Sequence, residues 1–298
     1  MTVRSGRRPT NLSEKIFELI LRIILVVVVI LCAYPVYFVV VASVSDSTVV
    51  NSGALLFWPE GFHLTGYQYA LHDNKILTGY TNTIIYTLCG TGLGLFVSLL
   101  AGYSLSRNDL PGRKLIMGMM LVTMYFSGGL IPTYLVVKKL GLLDSRMIII
   151  LLGSVSVYNI ILIRTFFSSN LPSELQEAAF IDGCSNTRFF FQFALPLSKA
   201  IIAVIALYLA VGYWNGYFNA MIYLTDRTKM PLQIFLREML LIDTQTDVMD
   251  GELAGQMNQL KSVIKYAVIV LTSLPIMCLY PFLQKYFVHG VMVGSLKG

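Results

Sequence analysis

The 298-residue chain is 56% hydrophobic and 13% charged, with a mean hydropathy of +0.70. A soluble globular domain carries about 25% charged residues, so an ordinary water-solvated domain is excluded and a lipid bilayer is the main solvent. The net charge of +6 comes from basic residues scattered over segment ends rather than gathered in a patch, which excludes a nucleic-acid partner and matches what membrane topology leaves behind.

Six mostly apolar stretches without acidic groups follow one another: Ile23–Val44, Ile84–Leu105, Leu115–Val137, Met147–Phe167, Ala200–Leu224 and Tyr266–Phe282. A bilayer-crossing helix needs roughly 17–25 such residues. The expected fold class is therefore all-α, a polytopic membrane protein with six transmembrane helices over residues 23–284. A 22-residue run after Arg4, Arg7, Arg8 and Lys15 is too long for a signal-peptide core of roughly 7–15 residues, and no A-x-A site follows it. It reads as a retained anchor. Thirteen of the 22 Lys and Arg residues then fall on the side of the amino terminus and nine on the other. The positive-inside rule accordingly places both termini in the cytoplasm, as a segment 1–22 and a tail 285–298.

The first external loop, Ser45–Thr81, contains "FWPEGFHLTGYQYAL", expected to form an interfacial helix or turn. "GTGLG" at Gly90–Gly94 is a poor dinucleotide fingerprint, and inside an apolar span Gly90 and Gly94 serve close helix packing. Ser154, Ser156, Tyr158 and Asn159 bring polar groups to the fourth span, and Tyr213, Trp214, Asn215, Tyr217 and Asn219 bring them to the fifth. An unpaired amide in hydrocarbon costs several kcal/mol, so each faces a cavity or another helix; for any single residue, interhelical hydrogen bonding is the simpler reading. Pro132 and Pro275 could open the backbone locally within spans.

Between the fourth and fifth spans stands "SELQEAAFIDGCSNTRFFFQFALPLSK", Ser173–Lys199, a cytoplasmic loop of unusual charge. Ser173 with Gln176 has the form of a capping box after Pro172. Leu175, Ala178, Ala179 and Asp182 would share one helix face. Asp182-Gly183 would end that helix, and Asn186 and Thr187 would start a second one that stops at Pro196. Alanines beside Glu174 and Glu177 suit a knob gripped by another protein. The long loop Thr225–Ser262 is polar and of mixed charge, for which a solvated connector is the default.

No ionisable residue lies in the middle of a span, and G-x-x-x-x-G-K-[ST] is absent. The driving energy should then come from outside, and the chain is neither its own ATPase nor an enzyme. Cys32, Cys89, Cys184 and Cys278 lack metal spacing, and His63, His72 and His289 are dispersed, so no metal site is expected.

Glu177, Ala178, Ala179, Gly183, Leu195 and Pro196 stand in the register E-A-A, three residues, G, eleven residues, L-P. This resembles the EAA loop (172–196) of binding-protein-dependent ABC importer permeases, with Phe193 replacing the usual Ile. "WNGYFNAMIYLTD", "MPLQIFLREML" and the tail Tyr280–Gly298 resemble the second permease of maltose-type carbohydrate importers, in the branch handling oligosaccharides and polysaccharide fragments. The resemblance implies a second permease, two ATPase subunits that bind ATP and Mg, and an external sugar-binding protein, with no cofactor in this chain. It implies coupling through Glu174, Glu177, Ala178, Ala179, Asp182, Gly183, Leu195 and Pro196. It also implies a loop 225–262 that reaches toward the binding protein, while the polar and aromatic residues of the fourth and fifth spans, read functionally, form a sugar path along Tyr158, Asn159, Tyr213, Trp214, Asn215, Tyr217 and Asn219, with Trp214-Asn215 the leading pair. An importer of another solute such as amino acids, an ion-coupled secondary transporter and a membrane sensor are the alternatives.

Overall fold

A backbone in hydrocarbon must satisfy its own polar groups, and this chain does so with helices. The computed structural model describes residues 12–53, 57–242, 261 and 263–278. Residues 1–11, the loop at 243–260 and the tail from 279 onward, with the expectations attached to them, lie outside the described residues. The described elements are helical and fall into two compact units.

In the first unit, α1 (Leu12–Ala42) begins eleven residues before the expected span, so Glu14, Lys15, Glu18 and Arg22 are helical rather than part of a separate leading segment. Its most apolar window is not buried against the other described residues. Only its end is packed: Val41 and Ala42 meet Val50 of α2 (Ser47–Asn51), with Phe38 edge-on to Tyr266. The Phe57–Leu71 stretch is a turn followed by α3 (Thr65–His72), which Gly66 brings within reach of the Val263 carbonyl of α15 (Val263–Cys278).

The second unit is built around α4 (Asn74–Ser106), which starts ten residues before the expected span because Asp73 caps it, accepting from the Lys75 amide at 2.8 Å. Gly90, Gly94, Ser98 and Gly102, spaced by four, form a buried stripe along α4. Against it lie α7 (Arg146–Ser154), α8 (Val157–Asn170) and α12 (Lys199–Trp214). Tyr213 lies over Gly90, Leu209 over Gly94 and Ile163 over Gly102. The glycines thus serve packing, as their spacing suggested.

Several expected spans are interrupted. The third is α5 (Arg113–Tyr125) and α6 (Leu130–Lys139), bent by 112° where Gly129 takes φ +86°. Pro132 sits in the first turn of α6, where no backbone donor is needed, so it opens nothing. In the fourth, α7 and α8 bend by 46° at Ser156, whose hydroxyl caps α8 by accepting from the Asn159 amide. The fifth does not run unbroken to Leu224: α12 stops at Trp214, and α13 (Phe218–Tyr223) resumes after Asn215, Gly216 and Tyr217. Apart from these pairs, α1 and α4 are each long and apolar enough to cross a membrane, and α15 is shorter.

A methyl group added at Gly90 would lie 2.2 Å from the Tyr213 ring, whereas one at Gly92 meets nothing within 4 Å. Gly90→Ala should therefore destabilise the folded chain by about 1–3 kcal/mol through overpacking. Gly92→Ala should instead stabilise it by about 0.5–1 kcal/mol, the helix cost that glycine carries relative to alanine. Denaturant unfolding in detergent micelles compares the two.

Candidate functional site

The EAA-like stretch folds as α9 (Ser173–Ile181), a turn, then α10 (Asn186–Phe189), a π-helical turn (Phe190–Ala194) and α11 (Leu195–Leu197). Pro172 occupies the N-cap position of α9, and the expected Ser173–Gln176 box rests on a Ser173 side chain that lies outside the described residues. At the other end Gly183 takes φ +76°. The Cys184 amide bonds back to Ala179 O at 2.9 Å and the Gly183 amide to Phe180 O at 3.0 Å. This is a Schellman closure, which needs a residue at ease with positive φ. The next helix is capped by Ser185, one residue before the expected Asn186 start, its hydroxyl accepting from the Arg188 amide at 3.3 Å. Pro196 does not stop it; it runs to Leu197 and meets α12 at 81°.

Burial divides α9 differently from the expected face. Ala179 is buried and Leu175 and Phe180 pack beside it, in one apolar cluster with Tyr103, Ile163, Phe167, Phe189 and Ile205. Ala178 and Asp182 instead join Glu174, Glu177 and Ile181 on the exposed side. Residues 175 and 179, one turn apart, are the inward stripe, and the acidic face with its small alanine points away from the bundle. Leu195 is half-buried at the cluster's edge and Pro196 is exposed. Beside α9 a cavity of about 590 Å³ is lined by Glu174, Glu177, Arg107, Arg113 and Arg164. Arg107 bonds Asp109 through two nitrogens at 3.0 and 3.1 Å and lies 5.3 Å from the Phe180 ring centroid. That hydrogen bond holds the Asp109 carboxyl below the usual carboxylate range.

A second cavity, of about 480 Å³, opens at the break between α12 and α13. It brings together Tyr213, Asn215, Tyr217 and Asn219 of the expected path, and adds Tyr86, Tyr208 and Gly212. Positions 208, 212 and 215 stand in i, i+4, i+7 relation, a spacing legible in the sequence but not singled out there. Trp214 is elsewhere. Its indole N–H donates to Thr272 O at 2.8 Å and its ring meets Tyr80 edge-on. Neighbouring residues on a helix do not face the same way, so Trp214 and Asn215 do not form a pair. Tyr158 is exposed and Asn159 buried near the start of α8; neither lines this cavity. Tyr213 is partly a wedge, its ring also against Gly153 and its hydroxyl donating to Ile150 O. No Asp, Glu, Lys, Arg or His lines this cavity, which suits a hydroxyl-rich surface meeting amides and aromatic faces.

The segment after α13 is strapped to α4 and α7 by a polar clasp. Asp144, at φ +54°, accepts from the Thr225 and Asp226 amides, each at 3.0 Å, and from Lys229 Nζ at 3.1 Å. Those backbone donors and then the lysine hold its pKa down to about 2. Asn82 donates to the carbonyls of Thr228 and Met230 and accepts from Arg146, and Thr83 accepts from the Leu232 amide. These contacts join residues 64 to 149 positions apart, so no local pattern announced them. The part of the 225–262 loop beyond Ile242 lies outside the described residues, except residue 261.

The family profile described as "Binding-protein-dependent transport system inner membrane component" matches residues 90–293. The chain is 38% identical over 287 residues to the polygalacturonan/rhamnogalacturonan transport system permease protein YtcP of Bacillus subtilis, covering 96% of this chain and all of that protein. It is 39% identical over 264 residues to protein LplC of the same organism, covering 89% of each. Among solved structures, a chain of a bacterial ABC transporter involved in the import of the acidic polysaccharide alginate is similar with a TM-score of 0.85 and 30% identity, covering 94% of this chain and all of that one.

Two outcomes are expected. Gly183→Val places a β-branched residue at positive φ, a strain of about 1–3 kcal/mol, and should loosen the turn, whereas Gly183→Asn should be tolerated because Asn enters this region readily. Hydrogen exchange at residues 179–185 should rise in the first variant and stay near wild type in the second. For the clasp, the folded pKa of Asp144 lies below its ordinary 3.8, so its stabilisation is present above about pH 4 and lost as pH falls toward 2. The melting difference between wild type and Asp144→Asn should be constant from neutral pH down to about 4 and shrink below it.

Proposed function

The chain belongs to the family of binding-protein-dependent transport system inner membrane components, and we propose that it works as one of two permease subunits of an ATP-driven importer that carries an oligosaccharide across the cell membrane by alternating access. The observation that carries this reading is the exposed face of α9. Glu174, Glu177 and Ala178 face outward from a helix whose other side is anchored through Ala179 and Phe180 in the aromatic cluster under α4, α8 and α12. A push on such a face is delivered to the membrane helices instead of being absorbed by a loop.

In this reading the broken pairs α5/α6 and α7/α8, together with α12/α13, each count as one crossing, giving six with α1, α4 and α15 and both termini in the cytoplasm. Residues 172–196 dock on a separate ATPase subunit, one of two, which bind ATP and Mg; this chain contributes no cofactor site and no catalysis. Glu177 is the anion of that joint and Gly183 its turn. A second permease covers apolar faces that this chain leaves open, and an external sugar-binding protein delivers the cargo. The cavity at Asn215–Tyr217 lies on the sugar's path, its tyrosine faces meeting pyranose rings and its amides the hydroxyls. The polysaccharide names of YtcP and of the alginate transporter support a carbohydrate over an amino acid.

Removing one partner of a partly buried charge pair costs about 2–5 kcal/mol. Glu177→Ala in the reconstituted transporter should leave insertion intact while ATP hydrolysis no longer responds to sugar-loaded binding protein. Wild-type stimulation in that variant would remove α9 from the coupling role.

A further inference from the structure

The clasp and its surroundings account for the charges at the start of the 225–242 segment one by one. Arg227 is held by Glu238 at 2.7 and 3.1 Å. Lys229 is held by Asp144 and Asp226. Arg146 bonds Asn82 Oδ1 and the Thr228 carbonyl. Arg237, on α14 (Leu232–Ile242), is different: it is exposed and has no carboxylate partner among the described residues. One of its nitrogens touches the Met221 thioether, and its guanidinium stands 5.3 Å from the ring centroid of Tyr217. Tyr217 is also a wall of the helix-break cavity. A cation is therefore held against an aromatic face at the edge of a cavity whose own lining is uncharged, and most of its five donors are uncommitted.

That arrangement has a direct chemical meaning. The ring contact tethers the guanidinium at the cavity's edge while most of its N–H groups stay free, and two of them match the two oxygens of a carboxylate. A lysine would supply charge without that fork. The neighbouring acid, Glu238, is committed to Arg227, so it does not neutralise the site. We propose that Arg237 is a specificity-determining residue that receives the carboxylate of a sugar acid at the rim of this cavity, making an oligosaccharide of uronic acids the favoured cargo class. The inference rests on the reading of the cavity as part of the sugar path, and extends it from sugar to acidic sugar.

The test uses the intact transporter in lipid nanodiscs and two probes of one shape, a galacturonic acid oligomer and its fully methyl-esterified, uncharged counterpart. Wild type should bind the acidic form about three- to tenfold more tightly, the range between an exposed ion pair and a charge-assisted hydrogen bond. Raising salt to about 0.5 M should shrink the preference. Arg237→Gln should abolish the preference by weakening the acidic form more than the ester, and Arg237→Lys should restore only part of it. A wild type that binds neither probe, or treats them alike, overturns the proposal, as does an Arg237→Gln variant that keeps the preference. The underlying cavity reading is separated by Tyr208→Ala, which removes a wall without touching the charge. It should weaken both probes equally, and unchanged binding of both would overturn the cavity reading and the placement of Arg237 on a sugar path.

Discussion

An interrupted helix in hydrocarbon exposes backbone donors and acceptors that lipid cannot satisfy, and the second unit of this protein is arranged around meeting that constraint. Each interruption has its own solution. At Ser127–Gly129 a serine hydroxyl accepts from the Gly129 amide at 3.2 Å. At Ser156 another hydroxyl caps the next helix. At Asn215–Tyr217 the Asn215 and Gly216 amides turn back onto Val211 and Tyr213 carbonyls, and the side chains around them open onto a cavity. Among the described residues, only the third case couples a backbone break to amides and aromatic faces around one open cavity.

The same unit is stiff at both ends of α4, by different means. Around Ser106 the stiffness is apolar: Tyr103, Phe167, Phe189 and Phe190 pack beneath α9. Arg107 lies near the rings of both Tyr103 and Phe180. Around Asn74 it is polar, in the Asp144–Lys229–Asp226 clasp and the Asn82 amide. A central helix braced at both ends behaves as a strut. In the proposed coupling role, movement imposed at α9 would be expressed at the helix breaks between the braces and not dissipated in the connections.

Much of this was legible in the sequence because it depends on composition or on short spacing. The apolar runs located the helical regions, the glycines of α4 declared close packing, and Asp182-Gly183 announced a turn that the backbone realises at positive φ. What escaped depends on contacts distant in sequence or on competition between neighbours. Nothing near Ser156 or Asn215 resembles a proline kink, yet both end helices. Trp214 looked like a cavity residue by type and is committed instead to the Thr272 carbonyl. The clasp joins three separate stretches, at 82–83, 144–146 and 225–232, none of which carries a local signature. Helix ends are likewise hidden from hydropathy, since α1 and α4 extend through polar first turns that a hydropathy window discards.

Tyr213 divides the cavity wall into two kinds of residue. Its ring occupies the space left by Gly90 and Gly153, and its hydroxyl is committed to the Ile150 carbonyl. A smaller side chain there would leave a void, and a larger one at either glycine would collide with the ring. Positions 90, 153 and 213 can therefore drift only as a linked triplet. Tyr208, Asn215, Tyr217 and Asn219 are exposed at the opening and carry no such bond to one another. If the cavity admits the cargo, as proposed, a lineage shifting from one cargo to another would find its accessible steps at those four positions and at Arg237, and the shape of the cavity's floor would outlast many changes in what the cavity admits.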